Sequence, residues 1–258
     1  MRVFDFDAAI VRMPAPSVVN GLRDGDRDDP SHEGVLAEHR AYIAALEAAG
    51  VSVEILPPLD AFPDSVFVED QAFVVPEGAI VLRPGAPTRI GEAAGIAPAL
   101  RRRFARVLEL DEGHADGGDI LILPDEILIG LSARTDRAGA ERFVALAAEL
   151  GRTARIVETP RGILHFKTAS ALVDEETVIA TPVLAPCFAG YDVLVTPEGE
   201  EAAANLVRVN DRVLVSAAFP RTIDLLAARG LDLVALDTRE IAKIDAGLSC
   251  MSLRWKAL

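Results

Sequence analysis

Two cysteines in 258 residues, Cys187 and Cys250, exclude a disulfide-stapled scaffold and a four-thiolate metal site. No apolar run approaches the ~20 residues of a membrane-spanning helix, and the opening stretch MRVFDFDAAIVR lacks the basic and apolar regions of a secretory signal. A cytoplasmic chain with reduced thiols and no membrane partner is expected. Basic residues are also scarce, with 26 Lys and Arg against 40 Asp and Glu, a net charge of −14. That deficit argues against nucleic acid as a partner, because clustered cations supply most of the affinity for a phosphate backbone. A small cationic ligand suits the balance better, although solubility is the plainer reading of the same charge. The rest of the composition is globular: half of the residues are hydrophobic and 26% are charged. A chain of this length buries roughly 70–75% of its unfolded surface and needs no staple.

Four segments share one design, a β-rich run, a short polar tip and a second β-rich run. They are Val66–Leu82, Gly118–Leu131, Phe166–Ala180 and Asn205–Ser216, with tips around Glu77, Pro124, Glu175 and Asn210. After the first come a helix near Gly91–Phe104 and a strand near Arg106–Leu110. After the second come a helix over Asp136–Leu150 and a strand at Arg155–Glu158. After the fourth come a helix near Arg221–Arg229 and a strand over Leu231–Leu236. Gly151 and Gly230 stand where helix ends favour glycine. The third unit is degenerate, with a short turn near Pro182–Gly190 before a strand at Tyr191–Val195. The two termini supply a fifth: strand Val3–Arg12, helix His32–Ala49 and strand Val51–Leu56 at the start, and strand Ser249–Trp255 at the end. Five such units, closed by pairing the two ends, predict an α/β propeller that removes sheet edges by radial repetition. One closed domain over residues 1–258 is expected, with an open α/β sheet as the alternative.

The start of each first hairpin strand carries polar residues: Glu69 and Asp70, Asp116 and Asp119, His165, Asn205, and Cys250 in the split unit. In a closed ring these positions face one channel, and a thiol, an imidazole and several carboxylates meeting there make a nucleophilic site with acid–base help. Each has a plainer reading in isolation. Cys250 could be a small buried hydrophobe, His165 a core histidine, and Asp116-Gly-Gly-Asp119 a turn with capping carboxylates. Cys187 shares no such register and reads as structural, while His32 and His39 read as solvated positions on a helix. Gly117-Gly118 is not a phosphate loop, since no glycine-rich nucleotide motif surrounds it.

The stretches FPDSVFVED (62–70), RPGAPTRIGE (83–92), DGGDI (116–120), GLSARTDRAGAE (130–141), LHFKT (164–168), NDRVLVSAAFPRT (210–222) and KIDAGLSCMSLRW (243–255) resemble the dimethylarginine dimethylaminohydrolases. These belong to the pentein, or guanidine-modifying, superfamily. The resemblance runs from SVVNGL (17–22) nearly to the C-terminus. It implies a pentein fold of five ββαβ-type modules, one of them shared between the termini, and a possible homodimer, which no residue here argues for by itself. It also implies hydrolysis of N-methylated arginine to citrulline. Cys250 stands in the position of the nucleophile, and His165 in that of the general acid and base. Asp116, where some relatives carry Glu, would hold the guanidinium, and Asp70 would bind it from another side. Asp64, Glu69, Arg89 and Arg134 match the substrate-binding set, with the two arginines meeting the α-carboxylate. Leu22 matches a covering loop, and the Ile244 backbone a contact to the amino-acid end. No metal or other cofactor is expected.

The chemistry agrees with these residue types. A guanidinium is a poor electrophile, so carboxylates must fix it while a thiolate attacks. The basic leaving amine requires a proton, which an imidazole can deliver. Three other functions remain open: an arginine deiminase releasing ammonia, a metal-dependent ureohydrolase built on His114, Asp116 and Asp119, and a non-catalytic pentein that binds a partner.

Overall fold

Alternating runs of β-branched residues, interrupted by turn formers, fold into five short hairpins, and each hairpin gains a third strand. The computed structural model describes residues 2–25 and 28–257. The chain opens with β1 (Ala8–Arg12), α1 (His32–Ala48) and β2 (Ser52–Leu56). The next unit holds β3 (Ala72–Val75), β4 (Gly78–Val81), α2 (Glu92–Arg103) and β5 (Val107–Glu109). Then come β6 (Ile120–Ile122), β7 (Ile127–Leu131), α3 (Arg137–Glu149) and β8 (Ala154–Glu158). The helix-poor unit has β9 (Ser170–Leu172), β10 (Thr177–Ala180) and β11 (Asp192–Val195). The last has β12 (Val207–Val209), β13 (Arg212–Ser216), α4 (Pro220–Ala227) and β14 (Asp232–Leu236), and the chain ends on β15 (Leu253–Trp255).

Every sheet repeats one topology. The first two strands pair antiparallel and the middle strand pairs parallel with the third, as in β3-β4-β5, where Phe73 faces Ile80 and Ile80 faces Leu108. The parallel partner requires a crossover, which the helix supplies in four of the five units. The split unit is closed as expected: β15 pairs antiparallel with β1, and β1 parallel with β2. This is the pentein architecture. The apolar core is divided into five clusters, such as Phe73, Ile80, Ile129 and Phe143 between the second and third sheets and α3. α1 and α3 are capped by Ser31 and Asp136, whose side chains accept from Gly34 N and Gly139 N. Gly151 and Gly230 take positive φ just past α3 and α4.

Three expectations need correction. The first strand begins at Ala8 rather than Val3, because the preceding segment is pinned elsewhere: Asn210 exchanges hydrogen bonds with Phe6 N and O. The last strand is only Leu253–Trp255, since Ser249–Met251 forms a 3-10 turn. His39 is not solvated; it is fully buried on α1, with no hydrogen-bond partner for either ring nitrogen. It lies on the same helical face as Val35, Tyr42, Ile43 and Leu46, so the helical period that buries them buries His39 too.

A 3-10 turn stands just before the innermost strand of every unit: Val68–Gln71, Gly117–Asp119, Phe166–Thr168, Glu201–Ala204 and Ser249–Met251. Neighbouring turns touch around the channel, from the Ser249 turn to the Val68, Gly117, Phe166 and Glu201 turns in order. Close approach explains the paired glycines. A Cβ on Gly117 would lie 1.9 Å from the Glu69 carbonyl oxygen, and one on Gly118 2.7 Å from the His165 ring.

Candidate active site

The ring of turns brings the register residues of the repeat to one end of the channel. A cavity there is lined by Cys250, His165 and Asp70, with Asp64, Arg89, Arg134, Leu22 and Ile244 around them. Eight of the ten residues singled out from the sequence therefore share one wall. The other two sit behind it. Asp116 is fully buried, its Oδ2 2.9 Å from His165 Nε2 and its Oδ1 accepting from Gly85 N at 2.8 Å. Glu69 faces away from the cavity: its carboxylate accepts from Lys167 Nζ at 2.7 Å and from the Ser249 hydroxyl at 2.9 Å.

Each turn aims its side chain through a backbone tether. Asp70 accepts from Gly118 N at 2.8 Å through Oδ1 and meets Arg89 Nη1 at 2.5 Å through Oδ2. Arg89 is buried and engaged on three sides, by Asp70, by Glu92, and by the carbonyls of Asp64 and Phe67. Asp119 stitches two units together, accepting from Phe166 N at 2.8 Å and from the hydroxyls of Ser132 and Thr135 at 2.6 Å. The covering loop is tied down at Leu22, whose N–H donates to Asp64 Oδ1 at 2.9 Å, and at Asp24, whose N–H donates to Asp245 at 2.6 Å. Asp26 and Arg27 of the same loop lie outside the described residues. Cys187 does not line the cavity and is half-buried against the cluster of Phe4, Phe166 and Phe188.

The electrostatics set the resting protonation state. Burial alone would push the His165 imidazole down, but Asp70, the hydrogen bond to Asp116, and Asp119 outweigh it and raise the pKa to about 9. Asp70 is driven the other way, to about 2: burial opposes ionisation, yet His165, Arg89 and the Gly118 N–H prevail. Burial, helped by the carboxylates of Glu69 and Asp70, pushes the Cys250 thiol up to about 12. The site therefore holds a neutral thiol beside an imidazolium, with Glu69 and Asp70 as the carboxylates that hold the thiol proton. A cation entering it neutralises the charges that hold the thiol proton.

The sequence-based ureohydrolase set does not assemble. His114 Nδ1 lies 3.2 Å from the Pro84 carbonyl, while Asp119 is spent on unit-to-unit hydrogen bonds. Asp70, Asp116 and His165 do place one donor atom each within 4.8 Å of one another. They fit a metal poorly, because Arg89 already occupies Asp70 and His165 carries a proton on the nitrogens a metal would need. Phe67, Leu164 and Asp245 also line the cavity, and the sequence did not single them out. They flank register residues in the motifs, but nothing about an apolar neighbour marks it as wall rather than core. Asn205 was noted only for its register; its Nδ2 lies 4.0 Å from Cys250 Sγ and its Oδ1 accepts from Ser249 N at 3.0 Å.

Five mixed sheets around a channel, with Cys, His and Asp meeting at one mouth, define a pentein of the guanidine-modifying superfamily. A family profile described as "N,N dimethylarginine dimethylhydrolase, eukaryotic" matches residues 22–181. N(G),N(G)-dimethylarginine dimethylaminohydrolase of Pseudomonas aeruginosa is 38% identical over 254 residues, spanning 97% of this chain and all of that one. The structure of a Cys-to-Ser variant of the Pseudomonas aeruginosa enzyme complexed with citrulline superposes with a TM-score of 0.93, at 37% identity and over 97% of this chain and all of that one. A dimethylarginine dimethylaminohydrolase His-to-Gly variant, present as an adduct with S-methyl-L-thiocitrulline, gives 0.92 at 37% identity, over 96% of this chain and 99% of that one. The chain belongs to the dimethylarginine dimethylaminohydrolase family.

Proposed function

We propose that the protein hydrolyses Nω-methylated arginines, asymmetric dimethylarginine and monomethylarginine, to citrulline and dimethylamine or methylamine. The observation that carries this reading is the meeting of Cys250, His165 and the anionic Asp70 in one cavity, in a chain that shares its family's motifs across nearly its whole length. The substrate's positive charge, set on Asp70 in the cavity with the charge of Asp116 behind His165, draws the thiol proton off Cys250 to solvent. The thiolate Sγ adds to the guanidinium carbon. His165 protonates the methylated nitrogen, the C–N bond breaks, and an S-alkylthiouronium remains on Cys250. The neutral imidazole then takes one proton from water as its oxygen adds to the same carbon. The adduct collapses to the citrulline carbonyl, its hydroxyl proton passing to the departing Sγ, which restores the thiol beside the imidazolium.

Asp116 acts first on His165, holding the imidazole by Nε2. At the amino-acid end, Asp64 and the Ile244 backbone take the α-amino group, under the loop that Leu22 closes. The α-carboxylate falls chiefly to Arg134, whose side chain has no hydrogen-bond or ion-pair partner among the described residues, whereas Arg89 is already engaged. Glu69 contributes from behind, by its charge on Cys250. The reaction needs no cofactor. Residues 1–258 act as one catalytic domain, in the cytoplasm. No helix among the described residues is long and apolar enough to cross a membrane.

The test is citrulline and amine release from arginine, monomethylarginine, and asymmetric and symmetric dimethylarginine, side by side. A site that grips the unmethylated nitrogens and leaves the methylated one without obligatory acceptors favours the mono- and asymmetric substrates in kcat/KM. Ammonia release from arginine exceeding dimethylamine release at equal concentration would move the chain to the deiminase reading.

A further inference from the structure

The channel has a second mouth. Ser249 and Lys167 lie one and two residues from Cys250 and His165, yet they line a different cavity, of about 80 Å³ and partly open to solvent. Arg208, Arg254 and Phe4 share that lining. At roughly 10–15 Å³ of such space per water, it holds several waters or one small ion. In a chain with a net charge of −14 its lining is unusual: Lys167, Arg208 and Arg254, with no carboxylate among them.

The cations are under-compensated. Lys167 and Arg254 share one carboxylate, Glu69, at 2.7 and 3.5 Å. Arg208 donates through Nε to the Asn210 carbonyl at 2.8 Å and has no ion pair among the described residues. Its guanidinium and that of Arg2 both lie 5.0 Å from the centre of the Phe4 ring, and Arg2 already has Asp5 and Asp211. Burial, and next the like charge of Arg2, push the Arg208 guanidinium down from its ordinary range. Arg254 Nε is buried with no hydrogen-bond partner, so it wants an acceptor. Around the cavity three cations face one carboxylate, Glu69, while Asp211, Asp174 and Asp232 act on Arg208 from outside the lining.

We propose that this rear mouth of the channel binds a small tetrahedral dianion, sulfate or hydrogen phosphate, between Arg208, Arg254 and Lys167. Arg208 Nε and Arg254 Nη1 are already engaged, the latter by Tyr42, Ser249 and Ser252. The terminal nitrogens of Arg208 and Nε and Nη2 of Arg254 are the donors left for an oxyanion, and the ammonium of Lys167 supplies a point charge. The cavity size excludes a nucleotide or a nucleic acid backbone. The inference does not rest on the proposed hydrolysis, because binding is read without turnover.

The experiment uses Trp255, the only tryptophan, which lines the adjoining cavity beside Arg254. The full chain is titrated with sodium sulfate against sodium chloride at constant ionic strength, followed by fluorescence and in parallel by calorimetry. A saturable sulfate isotherm is expected. Arg208→Gln should weaken it at least ~10-fold, the scale of one charged contact. Arg239→Gln, on an exposed arginine paired with Asp237, should bind like the parent. Thermal melts of both variants check the fold. Hydrogen phosphate in place of sulfate should compete for the same site. No saturation by either method, or equal affinity in the two variants, overturns the proposal.

Discussion

At the scale of single residues, two thiols sit in different surroundings. Cys250 is fixed at the channel mouth among Glu69 and Asp70, while Cys187 packs against an aromatic cluster and does not line the cavity. Replacing Cys250 with serine should abolish citrulline formation, because no alkoxide is available near neutral pH as a thiolate is. Replacing Cys187 with serine should leave kcat within a few-fold of the parent. Loss of activity in neither variant would end the covalent mechanism. His165 makes a separate prediction. With its pKa raised to about 9 it is protonated near neutral pH and is the acid of the proposed reaction, so His165→Ala should lower kcat by ~10²–10⁴-fold. Steady-state assays with asymmetric dimethylarginine check both. Near-parental kcat in His165→Ala would remove it from proton transfer.

At the scale of elements, the 3-10 turns govern the site. They stand in place of the first residues of strands, so backbone N–H groups such as Gly118 N and Phe166 N point at carboxylates rather than at a sheet partner. Asp119 shows what this does: three donors from two units converge on one carboxylate, and burial, opposed by His165 and by those donors, still lifts its pKa to about 6. The contact between the Gly117 and Val68 turns is backbone on backbone, which no side-chain rotation can relieve. Gly117→Ala should therefore destabilise the fold by ~1–3 kcal/mol, typical of overpacking, and displace Asp116 from His165. Thermal unfolding together with kcat measures both effects, and an unchanged melting temperature with parental kcat would show that the turns tolerate separation.

At the scale of the whole molecule, two buried histidines tilt stability in opposite directions. His39 is held neutral by burial, its pKa down to about 4 against 6.5 unfolded. The unfolded chain therefore binds the extra proton between those values, and the stability present above pH 6.5 is lost as pH falls towards 4. The full span is worth about 3 kcal/mol. His165 is raised to about 9, so its contribution is complete below pH 6.5 and is lost as pH rises through 9. Denaturant unfolding of the parent and of His39→Leu at pH 7 and pH 4.5 isolates the acid limb. The variant should lose less stability on acidification than the parent, and parallel curves would refute the buried, unpartnered state of His39.

Repetition made the fold legible. Hairpin runs of period two with turn residues at their tips recur because each unit is one local solution to the same burial problem, and β-branched alternation reports that solution directly. The four helices and the pairing of the two ends followed from the same spacing. Residue type and register also pointed to Cys250, His165, Asp116 and Asp70, since few side chains can attack a carbon or move a proton. Local sequence cannot report which way a side chain faces once units close into a ring. Glu69 and Asp70 are adjacent, yet one turns to Lys167 behind the site and the other into the cavity. Arg89, which the resemblance assigns to a substrate carboxylate, is held by Glu92 and Asp70. His39 reads as polar on a helix and is buried. These outcomes depend on contacts between residues far apart in the chain, and only the closed tertiary structure sets burial, charge pairing and direction, because all three are properties of the surroundings and not of the residue.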